Sequence, residues 1–440
     1  MLDVFAGRYG TCDGLSRRSF LRVGMLGLAG LTLPDLLRLR ALASSRGEPA
    51  TDTAVIQIVL GGGPTHIDTY DPKPDAPKEF RGEFHPIPTN VPGISVCELL
   101  PQQAQVMDKM AIIRSLHHTT ADHNSGQHWI MTGFPATQQL QRGNDRPSVG
   151  SIISKLRGPN RPGVPPYVAI PNAPQYSQGA YLGPGHNPFD LGGDPAGNFR
   201  VRNLDPAGGL NLGRLEDRRY LLGKLDRIER ERDASGMMDG LDRFTAQAYE
   251  MVTGPAARKA FDIAREDPRL RERYGRNRVG QSCLLARRLV EAGVTCVTIS
   301  DGGWDHHGQV FQQCRKQLPP LDAAIASLVE DIYDRGLADK VLVVAWGEFG
   351  RTPRVNGQAG RDHWPGAMSA LVAGGGLRMG QAIGATNRKA EQPTERALHP
   401  EDVLHTVYRV LGIDTSHEFL NEAGRPMAVL NTGHPIEELG

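Results

Sequence analysis

The sequence predicts an α/β fold of three layers, a mostly parallel central sheet with helices on both faces and a helical insertion. Two observations carry that expectation. Short β-branched runs bounded by turn residues recur along the chain, and helical apolar patterns lie between several of them. Strands that alternate with helices favour parallel pairing, because the crossover helices cover both faces of the sheet.

The elements follow in chain order. Ser16-Arg17-Arg18-Ser19-Phe20-Leu21-Arg22 is a twin-arginine signature that runs into the apolar stretch Val23 to Leu33. That stretch is too short and too rich in glycine to anchor in a hydrocarbon core of about 30 Å. Pro34 ends it, and Ala41-Leu42-Ala43 supplies the small-x-small pattern of a signal peptidase site. Residues 1–43 therefore read as an export signal, and residues 44–440 as one mature domain. The alternative, a buried amphipathic helix, requires the arginine pair to adjoin an apolar run by chance. The expected destination is the periplasm or cell surface.

Strands are expected at Ala54–Leu60, Met110–Ser115, Tyr167–Ile170, Val294–Ser300, Val341–Ala345 and Met368–Ala373. Helices are expected at Gly280–Ala292, Pro320–Arg335 and Pro400–Leu411. Pro171–Pro206, rich in Gly, Pro and Asn, reads as loop over one sheet edge. The span 213–274 is charged and nearly strandless, and reads as a helical insertion or cap.

Composition narrows the function. The chain of 440 residues carries 50 basic and 49 acidic side chains. Six basic and three acidic groups lie in the first 43 residues, so the remainder holds 44 and 46. That balance offers no nucleic-acid or anionic-membrane surface, and no later segment approaches a membrane span. Beyond Cys12, the cysteines Cys97, Cys283, Cys296 and Cys314 show no C-x-x-C spacing, which excludes zinc-finger and thioredoxin-like readings. Disulfides and buried free thiols both remain open for them.

The chemistry gathers just after the strands. Gly61-Gly62-Gly63-Pro64-Thr65-His66-Ile67-Asp68 follows the first, and His117 to His123 follows the second. Asp301-Gly302-Gly303-Trp304-Asp305-His306-His307 follows the fourth, and Trp346-Gly347-Glu348-Phe349-Gly350-Arg351 the fifth, with Asp362-His363-Trp364 soon after. In a parallel sheet all C-terminal strand ends open on one edge, where ligand crevices form. Carboxylate oxygens and neutral imidazole nitrogens suit a divalent cation, zinc, manganese or calcium. Asp305, His307, Glu348 and His363 are the expected ligands. His66 and Asp68 are further candidates, against a loop held by simple Asx-type bonds. His306, His399 and His405 read as ordinary histidines. Arg351 either grips a phosphate or sulfate oxygen or pairs with Asp362. The tryptophans Trp129, Trp304, Trp346 and Trp364 adjoin these residues, as sugar-stacking platforms or as the apolar floor beneath the loops. Gly61-Gly62-Gly63 fails the dinucleotide fingerprint, which needs glycine where His66 stands. Neither a Walker lysine motif nor a G-x-S-x-G elbow occurs.

Taken together, these segments resemble the domain-of-unknown-function 1501 family, twin-arginine-exported proteins placed in the alkaline phosphatase and sulfatase superfamily. The resemblance runs over nearly the whole chain. It is carried by GGGPTHIDTYDPKPDAP at 61–77, RGEFHPIPTNVPG at 81–93, GQSCLLARRLVEAGV at 280–294, WDHHG at 304–308, GEFGRTP at 347–353 and GRDHWP at 360–365. It implies a central sheet with a metal site at its C-terminal edge, and hydrolysis or transfer of sulfate or phosphate esters. By its offset from Thr132-Gly133, His123 occupies the nucleophile position. Glu348-Phe349-Gly350 stands where the superfamily has Asp-His-Gly, and the Gly61–Gly63 turn replaces its first-strand aspartate. One rearranged metal is then expected rather than two. The reading is an exported metal-dependent hydrolase of a small-molecule or glycan ester. Its alternatives are a degenerate member that binds sulfated or phosphorylated glycans without turnover, and a subunit with a structural metal.

Overall fold

The structure is a computed structural model and describes residues 52–136, 143–197 and 255–440. The expected export signal, and residues 213–254 of the expected insertion, lie outside the described residues. Of that insertion, residues 255–274 are described, and they are mainly short helices.

Twelve strands carry the argument. β1 (Ala54–Gly61) is followed by a short hairpin of β2 (Pro86–Pro88) and β3 (Ser95–Cys97), then by β4 (Met110–Leu116), β5 (Tyr167–Ile170) and β6 (Phe189–Asp190). β7 (Cys296–Gly302), β8 (Val341–Trp346), the two-residue strands β9 (Gly350–Arg351) and β10 (His363–Trp364), β11 (Met368–Gly374) and β12 (Gln381–Ile383) complete the set. Eight form one sheet in the order β12-β4-β11-β8-β1-β7-β5-β6. β1 pairs in parallel with β7 and β8, and β5 with β6 and β7. Only β11 runs against its neighbours, β4 and β8, which leaves β4 aligned with the parallel strands. The C-terminal ends of β1, β4, β7 and β8 therefore share one edge.

β1 shows why the sheet is covered twice. Its side chains alternate, so Ala54, Ile56, Ile58 and Leu60 enter one apolar cluster while Val55 and Val59 enter another. The first cluster lies under α4 (Arg278–Ala292) and α5 (Val310–Asp334), with α3 (Pro268–Tyr274) beside them. The second takes buried side chains from α1 (His123–Thr132), α2 (Val149–Leu156) and α6 (Pro400–Val410). Layer, sheet, layer is the predicted three-layer order.

Two boundaries differ from expectation. α5 begins at Val310 rather than at Pro320 and continues through Pro319 and Pro320. Each proline removes one helical hydrogen bond. The apolar face Val310, Phe311, Cys314, Leu318, Leu321 and Ile325 is buried on both sides of the break and holds the helix on its course. The glycine- and proline-rich segment after β5 is loop as expected, but it also contributes β6 as an edge strand. Cys97, Cys283, Cys296 and Cys314 are buried free thiols. No described helix is long and apolar enough to cross a membrane.

Candidate metal centre

The shared sheet edge is built on glycine. Gly62 follows β1 with φ +111°, and a Cβ there would stand 2.5 Å from the Asp305 backbone nitrogen. Only glycine lets this turn run so close beneath the loop that carries Asp305. The Gly62 N–H then donates to Glu348 Oε1 at 2.8 Å. The glycine run thus serves the site as backbone.

α1 brings His123. Asp122 caps the helix, its carboxylate accepting the Ser125 N–H at 2.9 Å, and Gly133 ends it in the left-handed conformation. Gly126 lets the helix approach Glu348, because a Cβ there would lie 3.1 Å from the Glu348 carbonyl. His363 arrives on β10, directly opposite Arg351 of β9. Opposed residues of an antiparallel pair share a face, so both reach Asp305 Oδ1, Arg351 at 2.5 Å and His363 Nε2 at 3.1 Å.

Four side chains converge. His307 Nε2 lies 3.0 Å from Asp305 Oδ1 and 3.0 Å from His363 Nε2. His123 Nε2 lies 3.3 Å from Asp305 Oδ2. The tautomers follow from the other ring nitrogens, each of which faces an acceptor at 2.7 Å. His123 Nδ1 meets Glu348 Oε1, His307 Nδ1 meets Asp362 Oδ1, and His363 Nδ1 meets the Ala121 carbonyl. In the tautomer with the proton on Nδ1, each ring donates outward and leaves an Nε2 lone pair for a cation held beside Asp305. Two lone pairs facing each other at 3.0 Å repel unless a cation stands between them. Metal–nitrogen bonds of about 2.0–2.1 Å set adjacent ligand atoms about 3 Å apart, as these are. One ligand atom each from His123, Asp305 and His363 lies within 4.8 Å of the other two, and His307 joins at one side. The donor set fits a divalent cation.

Burial alone would raise the Asp305 carboxyl, but the hydrogen bond and charge of Arg351 hold the group well below the usual carboxylate range. The cluster is open to solvent, with side-chain exposures of 38 % for His123, 44 % for Asp305, 46 % for His307 and 21 % for His363.

The other candidates sit in different surroundings. Arg351 turns inward and pairs with Asp305 rather than with Asp362. Its guanidinium is fully buried and donates to the Gly62, Gly63 and Arg361 carbonyls and to Asp305. Glu348 Oε1 takes the Gly62 N–H and faces His123 Nδ1, while its Oε2 is buried without a hydrogen-bond partner. His123, expected at the nucleophile position, lies in the group with Asp305 and His363 that could hold a cation. His66 and Asp68 fall outside the cluster. His66 is buried with Nε2 on the Ala390 carbonyl at 2.9 Å, and burial lowers its pKa. Asp68 forms a fully buried ion pair with Arg361 at 2.8 Å. Trp129, Trp304 and Trp346 are buried and form floor, and Trp364 donates to the Glu391 carbonyl at 2.7 Å.

Sequence reasoning missed three participants. Asp362 and the Ala121 carbonyl orient His307 and His363. His118 donates from Nε2 to the Glu348 carbonyl at 2.6 Å and is held neutral by burial, its pKa lowered to about 4. For Asp362 the signal was present, an aspartate beside a ligand histidine in GRDHWP; a carbonyl leaves none.

The family model described as "Protein of unknown function (DUF1501)" matches residues 52–439. No curated protein matches the chain. Among solved structures, the chain is similar to the PsFucS1 sulfatase from Pseudoalteromonas sp., with 12% identity over 86% of this chain and 70% of that one, TM-score 0.34. It is also similar to Ps i-CgsB in complex with k-i-k-neocarrahexaose, with 9% identity over 82% and 72%, TM-score 0.40. The lipoteichoic acid synthase LtaP from Listeria monocytogenes gives 10% identity over 84% and 74%, TM-score 0.35.

Proposed function

The chain belongs to the DUF1501 family, and on that premise we propose that it is an exported, sulfatase-like, metal-dependent hydrolase of a sulfate or phosphate ester. One observation carries the reading: imidazoles from three chain segments each aim Nε2 at one solvent-exposed carboxylate while Nδ1 faces an acceptor on the outside. His123, Asp305, His307 and His363 would hold the cation. A divalent cation in such a place polarises an ester oxygen and lowers the pKa of water.

The chain's own groups do the rest. Arg351 pins Asp305 and offsets its charge, while Glu348 fixes the ring of His123. The first turn of α1 sets its positive dipole end at the site, which favours an anionic ester. The exposure of the four side chains supports a catalytic centre over a closed structural one. Export rests on Arg17 and Arg18 and the apolar stretch after them.

The test is metal content and turnover together. The purified protein should retain about one divalent ion after dialysis, and His363→Ala should lose it. Aryl sulfate and aryl phosphate esters should be hydrolysed by the loaded wild type and not by His363→Ala. A loaded protein that binds sulfated glycans but turns over no ester would leave the non-catalytic binding reading in its place. A protein that takes up no ion would end the hydrolase reading.

A further inference from the structure

We infer that the centre is built for a zinc-class transition ion and against calcium or magnesium, and that Asp362 is the positioning residue for one of its imidazoles. The inference rests on the metal-dependent reading above and narrows its cation. Calcium takes six to eight oxygen ligands and magnesium an octahedron of oxygens, mostly water. Here three of the four converging side chains offer nitrogen, and Asp305 alone offers carboxylate oxygen. Imidazole nitrogen suits zinc, copper, nickel and iron.

The two neighbouring carboxylates, Glu348 and Asp362, each face an imidazole Nδ1 at 2.7 Å through one oxygen, and neither joins the group formed by His123, Asp305 and His363. Glu348 also accepts the Gly62 N–H, which fixes its Oε1. Asp362 is exposed but anchored. Its backbone N–H donates to Thr352 Oγ1 at 2.9 Å, and Asn356 Nδ2 lies 3.3 and 3.4 Å from its two oxygens. The same Asn356 nitrogen donates to the His307 carbonyl at 2.9 Å, tying the two segments together. An exposed carboxylate contributes little to folding. Its service here is to hold the His307 ring with Nε2 inward, the outer-shell arrangement typical of imidazole-bound metals.

The experiment is calorimetric titration of chelator-stripped protein with Zn²⁺, Co²⁺, Ca²⁺ and Mg²⁺, with visible absorption of the Co²⁺ form. Zn²⁺ and Co²⁺ should bind one per chain, the Co²⁺ form should absorb in the visible, and millimolar Ca²⁺ should not displace Zn²⁺. Asp362→Ala should weaken Zn²⁺ binding about 10–100-fold without moving the melting temperature of the stripped protein. Asp362→Asn, which keeps an acceptor oxygen, should restore most of the affinity. Preference for Ca²⁺ or Mg²⁺ would overturn the selectivity and leave a metal-dependent hydrolase standing. Failure to bind any of the four ions would overturn both readings. Wild-type Zn²⁺ affinity in Asp362→Ala would overturn the role given to Asp362.

Discussion

Asp68 separates the sequence reading from the structural one, because the two give it opposite duties. As a ligand, its loss removes the metal; as the partner of Arg361, its loss removes stability. Both side chains of the pair are fully buried. Arg361 donates to Asp68 Oδ2 and Phe80 O at 2.8 Å, to Thr352 O at 3.1 Å and to Pro353 O. Asp68→Ala leaves a guanidinium in the interior with carbonyls but no counter-charge, which costs about 3–5 kcal/mol. Against a domain stability of about 5–15 kcal/mol, that is a large share. Asp68→Asn also removes the counter-charge but keeps an acceptor for Arg361 Nε and for the Thr65 hydroxyl, which donates at 2.9 Å, so it should cost about 1–2 kcal/mol less than Asp68→Ala. Urea unfolding followed by tryptophan fluorescence should show lower midpoints at unchanged slope, in the order wild type, Asp68→Asn, Asp68→Ala. Folded Asp68→Asn should keep its full metal content by elemental mass spectrometry. A metal-free Asp68→Asn with an unmoved midpoint would refute the argument and return Asp68 to the ligand set.

His118 predicts a pH dependence. Its folded pKa of about 4 lies below the ordinary value of 6.5, so the unfolded chain takes the proton first as pH falls. Its contribution is complete above about pH 6.5 and is lost toward pH 4, about 3 kcal/mol in all. Urea midpoints of wild type minus His118→Gln should narrow across that window, and a constant difference would contradict it. Gly62→Ala puts a Cβ 2.5 Å from Asp305 N at φ +111°, so Zn²⁺ affinity should fall at least tenfold and stability by about 2 kcal/mol. Unchanged titration curves for Gly62→Ala would show that the turn can shift freely. Replacing Arg17 and Arg18 with lysine should hold the chain in the cytoplasm by cell fractionation; periplasmic recovery would exclude the twin-arginine route.

The framework was legible because strand periodicity and burial agree. The six expected strands were found within two residues of their bounds, and the C-terminal ends of five of them share one edge, β11 alone running the other way. That placement was enough to nominate Asp305, His307 and His363. What it could not give was direction within a loop. After Pro64 the chain folds into a tight turn, with Tyr70 and Asp71 donating back to the His66 carbonyl. That turn carries His66 and Asp68 into the interior, away from the edge. Polar composition reads the same whether a loop rises or dives. Arg351 failed for a related reason: an arginine beside a carboxylate cluster suits anion capture, and only the carbonyls of Gly62 and Gly63 reveal that its donors are taken. The offset from Thr132-Gly133 brought His123 to notice, and it does open a helix, but its contact with Glu348 across the fold left no trace in the sequence.

The single reversed strand has a consequence for how such a centre can change. Because β11 runs against β8, the chain leaves the sheet at Trp346 and returns at Met368 on the same side, with no crossover to the far end. Glu348, Arg351, Asp362 and His363 all ride on that one excursion. Half of the centre is therefore a cassette with both ends anchored in neighbouring strands. Insertions or exchanges within it can reshape that half of the centre while the eight-stranded sheet keeps its order.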